Sequence, residues 1–203
     1  PPVVLDIWAP GVEGTRPPGQ RWTTVAHWTA YGEVQYGGEA YGQKDVEFMR
    51  LIELPKLTPY PLEVAVILDD VPVQAFKSRG WHLREALDIS LDPWRYREYI
   101  WSSRGEFSVA KNAYVKTRCG WFSDRTASYL ASGRPAVVQD TGIGDRLPLG
   151  SGLLVFGTME EAAAALRKVE EDYESHCRAA LEIARKYFDA NKVLNGLLDS
   201  CNL

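Results

Sequence analysis

The stretch from Gly120 to Gly142 constrains this chain more than any other. It reads as loop, helix, tight turn, buried strand and loop. Ser123 or Asp124 is placed to cap a helix by accepting from its free N–H groups. Ala127, Leu130 and Ala131 recur at helical spacing. Gly133 suits the helix end, and Pro135 forbids its continuation. The apolar run Ala136 to Val138 suits a strand covered on both faces. A unit of this kind sets a helix N-terminus beside the C-terminal ends of strands, where α/β proteins bind phosphates.

The rest of the chain repeats the alternation. Strands are predicted at Trp22–Ala26, Leu62–Leu68, Gly80–Leu83, Glu106–Ala110, Ala136–Gln139 and Leu153–Phe156. Helices are predicted at Lys44–Leu54, Val71–Ser78 and Pro93–Ser102, the last capped by Asp92. His27 to Gln43 reads as a long loop. Thr158-Met159-Glu160-Glu161 is a capping box that opens a helical C-terminus, with a break near Asp172–Ser175 and a last helix capped by Asp189. About six strands alternating with helices imply βα units and a parallel sheet.

A chain of 203 residues, 45% hydrophobic and 25% charged, is long enough for a full core. Its 27 acidic and 23 basic residues leave a net charge of −4, which speaks against a dedicated nucleic-acid binder. Cys119, Cys177 and Cys201 show no metal spacing and fit a reducing, cytoplasmic compartment. No run approaches the roughly 18 apolar residues of a membrane helix, and no secretory signal is visible. Residues 1–20, with five prolines and three glycines, read as a linker or inter-domain segment in which Val3 to Trp8 can form a strand or pack as an arm. The chain begins Pro1-Pro2, and a fragment of a longer protein or a processed form is expected.

The Gly120–Gly142 stretch resembles the donor-half signature of GT-B-fold glycosyltransferases, E-G-F-G-x-x-x-x-E-A-x-A-x-G-x-P-V. Aligned on Gly133 and Pro135, Phe122 matches the motif phenylalanine and Ala131 the motif alanine. Gly120 and Ser128 stand where the motif has glutamates. The wording is closer to a divergent bacterial branch, and the resemblance covers about Arg21 to Leu198. It implies an α/β fold: a Rossmann-like parallel sheet of about six strands, helices on both faces, and closing C-terminal helices. The expected domain is 21–198, with 199–203 a tail. The implied activity is sugar transfer from a nucleoside-diphosphate sugar to an acceptor held by an N-terminal half of the same protein. No cofactor beyond that substrate and no bound metal are implied. A catalytic base is expected on the other half, so none is assigned in this chain.

Four groups of residues are candidates for the donor site. Lys44 opens a helix after the first strand, where the resemblance implies a basic contact to the donor diphosphate; the plainer reading is solvated surface. His27 and Trp28 line either the cleft or the core. Lys111 and Tyr114, with Lys116 and Arg118 nearby, follow a strand C-end and offer charge for phosphate and a face for a base. Ser123, Asp124, Arg125 and Thr126 start the signature helix. There they bind phosphate and hydroxyl groups, or serve only as a cap and a surface partner. Asp140 and Thr141, after Gln139, orient the donor sugar or form an Asx turn. His82 and His176 are assigned no catalytic role. Two alternatives stay open: a sugar-nucleotide epimerase on the same fold, and a non-catalytic binding or scaffold domain.

Overall fold

A computed structural model describes residues 1–9 and 18–201. Residues 10–17 of the expected linker and 202–203 of the expected tail lie outside the described residues. In chain order come α1 (Leu5–Trp8), β1 (Trp22–Val25), β2 (Val34–Tyr36), β3 (Glu39–Tyr41) and α2 (Lys44–Arg50). Then follow β4 (Leu62–Val66), α3 (Val73–Lys77), β5 (His82–Glu85), α4 (Leu87–Ser90), α5 (Pro93–Trp101) and β6 (Gly105–Ser108). The chain closes with α6 (Asn112–Thr117), α7 (Asp124–Ala131), β7 (Ala136–Gln139), β8 (Leu153–Phe156), α8 (Met159–Glu171), α9 (Tyr173–Ile183) and α10 (Ala190–Ser200).

Six strands form one sheet in the order β5-β4-β1-β6-β7-β8, and every neighbouring pair is parallel. The chain winds outward from β1 through β4 to β5, then returns to β6 and winds the other way. The winding direction therefore reverses between β1 and β6, and a crevice opens at the C-terminal ends of those strands. The expected Rossmann-like α/β fold is what the chain adopts.

Side-chain alternation assigns each strand residue to one of two layers. Leu62, Val64 and Val66 of β4, Phe107 of β6, Val137 of β7, and Leu154 and Phe156 of β8 face a core built with Phe48 of α2, Phe76 of α3 and Leu166 of α8. That core is aromatic. Phe107 stacks on Phe156 at 5.3 Å and Trp28 on Phe48 at 5.7 Å, each pair adding roughly 0.5–1.5 kcal/mol beyond area burial. Ala136, Val138 and Leu153 face the opposite layer of α7, α9 and Phe188. Ala65 clusters with Ile89 and Tyr99 beneath the short α4 and α5, with Val25 packed alongside, so this half of the second face stays partly open.

The predicted caps at Asp92, Thr158 and Asp189 all form. The expected break falls at Asp172, and a π-helical turn at Ala184–Phe188 follows α9. The N-terminal arm packs: the Val3 N–H donates to Phe188 at 2.6 Å, and the Ala190 N–H donates to Val3 at 2.9 Å. Among the described residues no helix is long and apolar enough to cross a membrane.

Three expectations change. The strand placed at Gly80–Leu83 lies at His82–Glu85, because Trp81 turns into the aromatic core. Part of the His27–Gln43 loop is the antiparallel hairpin β2–β3, turned at Gly37 and Gly38 with φ of 60° and 81°. Two positive φ values at the turn are what a tight hairpin of native twist requires. Glu106–Ala110 ends as a strand at Ser108, because β7 pairs only Glu106 to Ser108.

Gly152, just before β8, has φ +72°, and a Cβ there would sit 2.4 Å from the Ala180 amide nitrogen in α9. Gly152→Ala is expected to lose about 2–3 kcal/mol by overpacking, read as a lower urea midpoint at unchanged slope. An unchanged midpoint would show that α9 yields freely at this contact.

Candidate functional site

The crevice at the ends of β1 and β6 is lined by Lys44, Ser108, Ala110, Trp121, Ser123, Arg125 and Gln139. Four elements bring these together: the start of α2, the end of β6 with the residues after it, the end of β7, and the N-terminus of α7 with the loop before it. The sequence-predicted Lys44, Ser123 and Arg125 therefore share one place, although they come from different segments.

Arg125 is an anchor there. Its Nε donates to the Glu106 Oε1 at 2.6 Å, one terminal nitrogen to the Val25 carbonyl at 2.5 Å, and the other to the Ser108 hydroxyl at 2.5 Å. The Glu106 side chain is 0% exposed and that of Arg125 11%. Burial works against the guanidinium charge, and Glu106 outweighs it, holding the group above its ordinary pKa. The expected i,i+4 surface role is thus replaced by a buried ion pair that ties α7 to β1 and β6.

Lys44 is the contrasting cation. It is half-buried at the start of α2, and among the described residues its ammonium has no hydrogen-bond or ion-pair partner. Burial, then the adjacent Arg125 charge, pushes its pKa down to about 7; Lys111 adds to the push, while Glu106 and Asp124 oppose it. The signature helix points its N-terminus at the same crevice. Ser123 occupies the N-cap position, yet its side chain makes no capping bond. Asp124 accepts only from the adjacent Arg125 N–H, at 2.8 Å, and from the Ser123 hydroxyl, at 3.3 Å. Of the two expected caps, Ser123 makes no capping bond and Asp124 takes the Arg125 N–H, so the first turn of α7 keeps free N–H groups beside one carboxylate.

The crevice wall is stiffened by a network that sequence reasoning missed. The buried Glu47 accepts from Asn112 Nδ2 at 2.6 Å and from Gln139 Nε2 at 2.6 Å. Asn112 in turn accepts from the Gly42 N–H at 3.0 Å, and Gln139 from the Ala110 N–H at 3.1 Å. Glu47 and Asn112 are ordinary surface residue types on helices, so nothing in their spacing announces them. Glu106 left a trace, being a carboxylate inside a predicted buried strand. Glu47→Ala leaves two amide donors buried without their acceptor and is expected to cost about 2–3 kcal/mol in chemical denaturation. A loss below about 0.5 kcal/mol would mean that water replaces the carboxylate.

Lys111 and Tyr114 stand one step outside. The Lys111 ammonium donates to the Tyr31 hydroxyl at 2.6 Å and lies 4.0 Å from that ring centre. Tyr114 packs on Trp121, centroids 4.9 Å apart, so an aromatic wall borders the crevice. Lys116 is drawn away to Glu39 and the Ala40 carbonyl of the hairpin. Asp140 forms the Asx turn, accepting from the Gly142 N–H at 2.8 Å, and pairs with Arg118 at 2.9 Å. The Thr141 hydroxyl donates to the Trp121 carbonyl at 2.7 Å. These two residues hold the 118–122 loop and do not line the crevice. Trp28 joins the aromatic core, and the His176 Nδ1 accepts from the Gly152 N–H, a structural role.

No protein-family model matches the sequence, and no curated protein matches it. Among solved structures the chain is similar to the crystal structure of TarM, with a TM-score of 0.59 and 12% identity. The match covers 94% of this chain and 36% of that one, so the chain spans about a third of TarM's length. The likeness is one of fold alone.

Proposed function

We propose that this chain is the donor-binding half of a GT-B glycosyltransferase, transferring a sugar from a nucleoside-diphosphate sugar to an acceptor held by an N-terminal half. One observation carries the reading: a lysine ammonium without a partner among the described residues and a helix N-terminus whose N-cap hydroxyl makes no capping bond meet at the point where the sheet reverses its winding. A diphosphate supplies the missing charge. Lys44 and the N–H groups of the first turn of α7 would take its oxygens and offset the leaving-group charge as the glycosidic bond breaks. Arg125 acts at one remove, holding α7 against β1 and β6. The Tyr114–Trp121 wall offers a face for the base. No step of this assignment calls on a metal.

Calorimetric titration with UDP, GDP, dTDP and ADP, with and without magnesium, tests the proposal. The expected result is selective binding of one nucleotide, independent of the metal. Binding of none of the four overturns the donor-site reading for this chain.

A further inference from the structure

A second cleft, about 660 Å3 in volume, opens at the other end of the sheet. Its floor is the second face of β1, β4 and β5, where Thr23, Glu63 and His82 are neighbours in register. All three lie at the strands' N-terminal ends, away from the crevice that holds Lys44. Central strands of a parallel sheet are ordinarily apolar, yet Glu63 is a carboxylate 4% exposed on such a strand. It is fully satisfied. Oε2 accepts from Arg21 Nη1 at 2.9 Å, and Oε1 accepts from Arg84 Nε at 3.1 Å and from the Tyr99 hydroxyl at 2.9 Å.

A buried ion cluster of this kind adds little net stability over apolar packing. What it does here is immobilise two guanidinium groups, whose side chains remain 47% and 45% exposed. Arg84 spends only Nε on Glu63, and among the described residues both terminal nitrogens stay available. Its guanidinium is further held 5.6 Å from the centre of the Tyr99 ring. Arg95, exposed on the cleft wall, makes no side-chain hydrogen bond or ion pair among the described residues, its charge bearing only on the neighbouring Asp92, and Asp88 makes none either. A fixed guanidinium fork takes an oxyanion bidentately at reduced entropic cost. The Asp88 carboxylate on the same wall would repel a bare anion, and it suits a ligand that also brings hydroxyl donors. The cleft volume is that of a small-molecule site.

We infer that this cleft binds a small hydroxyl-bearing oxyanion with the chemistry of a sugar phosphate, its charged end on Arg84 and Arg95 and a hydroxyl on Asp88. The inference is independent of the donor-site reading, since the two sites share no residue. Titration of the chain with glucose 6-phosphate, with glucose and inorganic phosphate as separate arms, tests it. The ester is expected to bind more tightly than either arm. Arg84→Ala and Arg95→Ala should each weaken it at least tenfold, and Lys44→Met should leave it unchanged. Arg95 is exposed and its side chain makes no hydrogen bond or ion pair among the described residues, so that variant reports on binding even if Arg84→Ala loosens the edge strand. Absence of saturable binding overturns the inference, as does full affinity in Arg95→Ala. Loss of binding in Lys44→Met overturns it too, because that result puts the ester in the crevice at β1 and β6.

Discussion

Lys44→Met is expected to weaken nucleoside-diphosphate binding on the order of a hundredfold while raising the stability of the free chain. The two effects share one cause. In the free chain the ammonium is half-buried beside Arg125, with no acceptor among the described residues. Removing it relieves an electrostatic cost, on the order of 2 kcal/mol once solvent access is allowed for. In the complex the same group faces phosphate oxygens, and a charge-assisted bond in a partly desolvated site is worth about 1.5–3 kcal/mol. Calorimetry and thermal unfolding of the same variant check both halves. Lower stability together with full affinity would end the assignment of Lys44 to the diphosphate.

The pH dependence of the parent chain follows from the same group. The folded-state pKa of Lys44 is pushed down to about 7, whereas its ordinary value is 10.5. Between those limits the unfolded chain binds more protons than the folded one, so this group makes stability rise with pH from about 7 to above 10. A bound diphosphate favours the ammonium, so binding near pH 8 should take up protons and weaken as pH rises. Titrations in two buffers of different ionisation enthalpy measure that uptake. Identical apparent enthalpies in both would show that Lys44 does not change protonation on binding.

Arg125→Ala should be the most destabilising single change in the crevice, costing about 3–5 kcal/mol. Glu106 is 0% exposed and accepts one hydrogen bond from Arg125 through Oε1; Oε2 has no hydrogen-bond partner among the described residues. Truncating the arginine strands a buried carboxylate and frees the Val25 carbonyl and the Ser108 hydroxyl. Pairing Arg125→Met with Glu106→Leu should recover most of the loss, because both charges then leave together. Urea denaturation of the two variants decides it. Equal destabilisation of single and double variants would mean that the pair is held for reasons other than charge compensation. Loss of nucleotide binding in Arg125→Ala alone therefore reports a collapsed helix position rather than a lost phosphate contact, and Lys44 is the better probe.

Much of the fold was legible before any coordinate. Alternating strand and helix patterns indicated a parallel sheet of about six strands, because only a helical crossover lets neighbouring strands run the same way. Asp92, Thr158 and Asp189 were readable as caps because a cap is decided within three or four residues. The β2–β3 hairpin had a signal too, Gly37-Gly38 between short alternating segments. Ser123 shows the limit of local reading. It has the right residue type in the right place, yet its hydroxyl turns to Asp124.

By itself, then, the sequence determined the order of elements, most helix ends and the segment where phosphate chemistry belongs, since those depend on spacing and on neighbours a few bonds apart. Only the tertiary structure decided which of the two crevice cations is free. Arg125 is satisfied by a carbonyl 100 residues away in β1 and by a carboxylate 19 residues away in β6. Lys44 finds no acceptor there among the described residues. Pairing of charges is set by which strands the sheet brings side by side, and no local pattern around either residue encodes it.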